Sequence, residues 1–142
     1  MEFLLDTDIV SEPARPEPDA SVLQQLREHD GALALCAPVW HELVYGVSRL
    51  PSSRRRRALD RYLQEVVLAT LPILPYDAEA AAWHGRERAR LERRGLTPSF
   101  VGGQIAAIAK VRALTLVTRN ARDFRAFEGL RIVDWSSRRR RR

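Results

Sequence analysis

Apolar positions fall into five short runs, separated by longer stretches with helical spacing. Phe3-Leu4-Leu5, Ala32–Cys36, Leu71–Leu74, Leu114–Thr118 and Leu130–Val133 are each too brief for a helix and read as buried strands. Asp6-Thr7-Asp8 stops the first run, and Ile9 and Val10 begin a brief helix. Pro13–Pro18 holds three prolines in six residues and breaks regular structure. Asp19 can cap a helix to about His29, with Val22, Leu23 and Leu26 on one face and Gly31 after its end. Pro38 suits the first turn of the next helix, where Val39, Leu43, Gly46 and Leu50 form a stripe with Glu42 at its edge. Ser52 or Ser53 caps a helix that carries Arg54–Arg57 and ends near Val67. Asp77 caps another from Ala78 to Arg94, closed by Gly95. Past a turn through Pro98, Gln104–Val111 and Asn120–Phe127 are the last predicted helices.

Strands alternating with helices predict an α/β fold, a three-layer α/β/α sandwich around a mostly parallel sheet. The expected organisation is one domain over residues 1–135, followed by an unfolded basic tail over 136–142. In such sheets the functional crevice lies outside the carboxyl ends of the strands, which makes the placement of polar residues informative.

Composition narrows the class. With 45% apolar and 30% charged residues the 142-residue chain is globular, and folding should bury roughly 70% of its extended surface. Cys36 is the one cysteine, which excludes an internal disulfide and suits a reducing cytoplasm. No apolar run approaches the roughly 20 residues of a membrane span, and Met1 leads into a strand rather than a signal peptide. Secreted and membrane classes are thereby set aside, and no membrane partner is expected. The net charge of +6 falls to +1 once the five charges of Arg138–Arg142 are removed, so the body is a weak electrostatic case for a polyanionic partner.

Candidate chemistry gathers at the strand ends. Asp6 follows the first strand at once, Glu42 lies one turn into the helix after the second, and Asn120 and Asp123 follow the Leu114–Thr118 strand. Taken singly, each reads as a helix cap or an exposed acid. Together they place three acids from remote segments at one sheet edge, where clustered like charges favour a divalent cation. Oxygen ligands with open positions suit Mg²⁺ or Mn²⁺, which can polarise a phosphodiester and activate water.

These residues also carry a resemblance. Phe3-Leu4-Leu5-Asp6-Thr7-Asp8-Ile9-Val10-Ser11-Glu12 resembles the opening motif of PIN-domain toxins of the VapC family, nearest to their plasmid-stability branch. Pro38-Val39-Trp40-His41-Glu42-Leu43 matches the second motif. Gln104-Ile105-Ala106-Ala107-Ile108-Ala109 and Leu114–Asn120 with Asp123-Phe124 match the third and fourth. The resemblance covers about residues 1–135 and implies the toxin of a toxin–antitoxin pair, an endoribonuclease that cuts structured RNA (transfer or ribosomal) with Mg²⁺ or Mn²⁺. It makes Asp6 a direct metal ligand and puts Glu42 and Asp123 in the acidic cluster, with Thr118 and Asn120 supporting by hydrogen bonds. It also implies a small antitoxin as partner and a homodimer or a hetero-oligomer with that antitoxin. Asp8 stands where the family usually has asparagine, a change expected to be tolerated beside the site.

A larger departure lies at Gly102, where the family has a metal-ligating aspartate. No Asp or Glu occurs between Glu92 and Asp123, so no neighbour in sequence replaces it. The expectation is a weakened or dead nuclease on an intact scaffold. A chain that only binds antitoxin or RNA is the alternative. A phosphoacceptor receiver domain is set aside, because Lys110 lies within a helix and the middle strand lacks an acceptor aspartate.

Arg54 and Arg57 on one helix, and Arg86 and Arg90 on another, are candidate RNA contacts, although a solvated helix surface is the better account of them. The Arg138–Arg142 run is read first as a solvated tail and second as nonspecific RNA affinity. His41 and His84 lack metal-ligand spacing, Cys36 reads as a small core residue, and Trp40, Trp83 and Trp135 as packing.

Overall fold

The computed structural model describes residues 1–137, which build a five-stranded sheet with every neighbouring pair parallel. The strands are β1 (Phe3–Leu5), β2 (Leu33–Cys36), β3 (Ile73–Leu74), β4 (Thr115–Val117) and β5 (Ile132–Val133). Around them lie α1 (Thr7–Val10), α2 (Ala20–Glu28), α3 (Ala37–Ser48), α4 (Arg54–Arg61), α5 (Leu68–Thr70), α6 (Ala78–Arg93), α7 (Phe100–Val111) and α8 (Ala121–Phe124). The expected α/β sandwich is thus the one formed. Strands covered by helices on both faces must be apolar throughout, and Leu4, Leu5, Leu35, Leu116 and Val117 are all essentially inaccessible to water.

Spatial order is β3-β2-β1-β4-β5. From β1 the chain moves outward through β2 to β3, then returns to lay β4 on the other side of β1. Leu4 pairs with Ala34 on one side and with Leu116 on the other. The strand order therefore reverses between β1 and β4, and connections leave their carboxyl ends in opposite directions. A crevice opens at such a point.

Local sequence explains most boundaries. Asp19, Ser53 and Asp77 each accept backbone N–H bonds as the caps of α2, α4 and α6. Four expectations need correction. Helix α7 starts at Phe100 rather than Gln104, because the Ser99 hydroxyl oxygen accepts from Gly102 N at 2.9 Å and draws both glycines into the first turn. The helix after Ser53 is not regular to Val67, since Tyr62–Val67 widens into a π turn. Helix α8 closes at Phe124, short of Phe127, and Asn120 does not cap it with its side chain. The folded part also extends past Trp135: Ser136 is buried, and Ser137 bonds to Asp19 through both its N–H and its hydroxyl. The rest of the expected tail, 138–142, lies outside the described residues.

Gly103 has a packing reason. Any Cβ there would fall inside the imidazole of His84, which is buried between α6 and α7 with its Nδ1 2.8 Å from the Tyr76 hydroxyl. Burial, and then the Arg88 charge, hold the His84 pKa below its ordinary value. Cys36 is likewise a core residue, its thiol pushed up to about 12 by burial. Trp135 is buried and stacks on His29 at 5.2 Å.

Candidate active site

Asp6 leaves the carboxyl end of β1 with its N–H bonded to Val117 O of β4, so it is placed by the sheet itself. Its side chain is held at both oxygens. Oδ1 accepts from Thr7 N at 2.8 Å, capping α1, and Oδ2 accepts from the Thr118 hydroxyl at 2.7 Å. Thr118 is fully buried, and its oxygen in turn accepts from Asn120 N at 3.0 Å. Asp6 therefore keeps one geometry, and burial raises its pKa above the ordinary aspartate value, with the Asp123 charge adding to the rise.

Glu42 on α3 and Asp123 on α8 are exposed, and both line the same crevice of about 600 Å³ as Asp6. Gly102, Ser99 and Asn120 line it too. The three sequence-predicted acids thus face one cavity at the β1/β4 reversal. Gly102 sits directly on that cavity and offers it no side-chain oxygen. Among the described residues, no three His, Cys, Asp or Glu side chains are gathered closely enough to hold a metal ion. Carboxylate oxygens are the donor chemistry a hard divalent cation needs, and Asp6, Glu42 and Asp123 line the crevice with them, spread around it rather than closed into a ligand set.

Two features of the site were not expected. Asp8 is more than a tolerated neighbour: burial, then the adjacent Asp6 charge, push its pKa to about 6. Its Oδ2 accepts from Arg119 N and Asn120 Nδ2, both at 3.3 Å, while its buried Oδ1 has no partner. Next to it runs a buried ionic network. Glu12, 1% exposed, accepts from the Arg119 guanidinium and from Asp19 N at 2.6 Å, and Arg15 lies 3.4 Å away. This network ties the segment after β4 to the segment after α1. Its only trace in the sequence is a charged residue beside each motif; the pairing of Glu12 with Arg119 spans 107 positions.

The arginine candidates separate. Arg54, Arg57 and Arg86 are exposed. Arg90 is committed elsewhere, with two 2.7 Å bonds to the Glu87 carboxylate and one of 3.0 Å to Ala126 O. It braces the loop after α8 against α6.

Comparison with known proteins agrees with this geometry. The PIN domain family model matches residues 3–130. The tRNA(fMet)-specific endonuclease VapC of Shigella flexneri is 33% identical over 136 residues, spanning 96% of this chain and 99% of the relative. Toxin FitB of Neisseria gonorrhoeae is 34% identical over 138 residues, spanning 94% and 98%. The crystal structure of VapBC2 from Rickettsia felis bound to a promoter DNA fragment superposes with a TM-score of 0.82 at 26% identity, covering 96% of this chain and all of that one. A parallel sheet with acids at its switch point defines the class, and the chain belongs to the PIN-domain family, among the VapC-type ribonucleases of toxin–antitoxin systems. Nucleases of this class generally depend on a divalent metal ion. Among the described residues no helix is long and apolar enough to cross a membrane.

Proposed function

We propose that this chain is the toxin of a toxin–antitoxin pair, a cytoplasmic endoribonuclease acting on structured RNA, transfer RNA or ribosomal RNA, with Mg²⁺ or Mn²⁺. The single observation that carries the reading is the meeting of Asp6, Glu42 and Asp123 in one crevice where the strand order reverses. A bound divalent ion there supplies polarisation of the phosphodiester and a more acidic water. Asp6 offers it a carboxylate already locked by Thr118 and Thr7, so little entropy is lost on binding. Asn120, fixed through Thr118 and Asp8, stands ready to hydrogen-bond substrate or water at the rim. Arg54, Arg57 and Arg86 add exposed positive charge for RNA. The names of the Shigella and Neisseria relatives support a transfer-RNA substrate and a toxin's role. A cognate antitoxin is the protein partner, with a homodimer or a toxin–antitoxin hetero-oligomer as the assembly.

Gly102 qualifies the activity. The crevice lacks a carboxylate at the start of α7, and losing such a ligand should cost at least the 10–100-fold typical of lesser perturbations around a metal. That observation also favours a second reading, a catalytically inert module that binds antitoxin or RNA. Gly102→Asp separates the two. The third helical position accepts an acid readily, and the Ser99 hydroxyl, 2.8 Å from where its Cβ would lie, can turn aside. The expected result is a larger Mn²⁺-dependent rise in Tm and at least tenfold faster Mn²⁺-dependent cleavage of transfer RNA than the present chain. Equal cleavage by both chains would refute the missing-ligand argument; no cleavage by either would leave the inert module.

A further inference from the structure

The crevice does not end at Asp123. A larger groove of about 970 Å³ continues from it, sharing Asn120, Arg122 and Asp123 and running past Arg125 and Asp134 to Ser136. Resting on the nuclease reading above, we propose that this groove holds the single-stranded RNA backbone on one side of the scissile phosphate, through Arg122 and Arg125.

Both arginines are exposed, and among the described residues neither makes an ion pair or a side-chain hydrogen bond. Arg119, also in the lining, is spent on Glu12 and Asp19. Arg122 lines the acid crevice as well as the groove, and Arg125 lines the groove alone. Guanidinium forks match phosphate oxygens in pairs, which an ammonium does not. The groove is not uniformly basic, because Asp134 lies in it with one oxygen accepting from Ser136 N at 2.8 Å. RNA can engage both charges: its phosphates pair with the arginine forks, and its ribose 2′-hydroxyls and base amino groups donate hydrogen bonds that the Asp134 carboxylate can accept.

The test measures binding of a single-stranded RNA oligonucleotide to the full chain in EDTA, where cleavage does not interfere, across a salt series. In the Arg122→Ala/Arg125→Ala double variant the log–log salt slope should fall by about 1.4, at about 0.7 for each phosphate no longer neutralised. Affinity at low salt should fall at least tenfold. Arg27→Ala, an exposed arginine on α2 outside the groove lining, should leave the slope unaltered. In the Gly102→Asp background the double variant should raise KM and leave kcat unchanged. An unaltered slope in the double variant, with the full chain still binding, overturns the groove alone. Weakened antitoxin binding with normal RNA binding assigns the groove to the protein partner and also overturns it. A full chain that binds no RNA at any salt overturns the groove and the nuclease reading together.

Discussion

The Thr118 hydroxyl donates to Asp6 Oδ2 at 2.7 Å, joining residues 112 positions apart across the reversal of strand order. The bond is buried and its acceptor is a carboxylate, the case in which a hydrogen bond is worth most. Thr118→Val keeps the shape and removes the donor from Asp6 and the acceptor from Asn120 N. The expected cost is about 1.5–3 kcal/mol, measured by urea unfolding in EDTA. Thr118→Ser should recover most of it.

Asp8 is a charge the fold holds at a cost. Its pKa near 6 means that the folded chain binds a proton more tightly than the unfolded chain, whose value is near 3.8. The penalty is complete above about pH 6 and vanishes below about pH 4. Asp8→Asn retains an oxygen for Arg119 N and Asn120 Nδ2 and removes the charge beside Asp6. Metal-free unfolding at pH 7.5 should therefore show a gain of about 1–3 kcal/mol, at 1.36 kcal/mol per pKa unit. Repeating the measurement at pH 4 should find the two chains nearly equal.

Gly103→Ala sets helix propensity against packing. Alanine favours a helix over glycine by about 1 kcal/mol. Its methyl group would occupy the His84 ring, which Tyr76 and Phe100 hold in place. Packing should prevail, with a net loss of about 1–3 kcal/mol by thermal or urea unfolding. In a His84→Ala background the same change should be close to neutral, because the obstructing ring is gone.

Glu87 gives the opposite sign of pH dependence to Asp8. Its hydrogen bonds from Arg90 are the main reason its pKa lies below the ordinary glutamate value, and Glu128 N adds a third bond at 2.6 Å. Its contribution to stability is complete above the unfolded value near 4.5 and is lost as pH falls through the lower folded value. Glu87→Gln should lower Tm at pH 7, and the difference should shrink as the scan moves to pH 3.

Much of the site could be read along the chain because it depends on local order. A strand stops where an aspartate follows Leu5, and another stops before Thr118, so Asp6 and Asn120 are assigned to a sheet edge by position alone. Gly102 stands out only through the family resemblance, which implies an aspartate at that position. The periodicity of α3 puts Glu42 beside its buried stripe of Val39, Leu43 and Val47. Arg90 shows where such reading stops. Its spacing on α6 matches that of a solvent-facing arginine, yet the turn after α8 brings Ala126 and Glu128 against it and takes up its donors.

Order along the chain determined the strand–helix alternation, the parallel sheet and the acids at strand ends, because runs of apolar residues and capping side chains act over a few positions. Folding decided which of those ends became neighbours. The reversal between β1 and β4 brought Asp6 to Thr118, Asp8 to Arg119 and Glu12 to Arg119. Pairings made across more than a hundred residues depend on burial and geometry in three dimensions, and no local pattern encodes them.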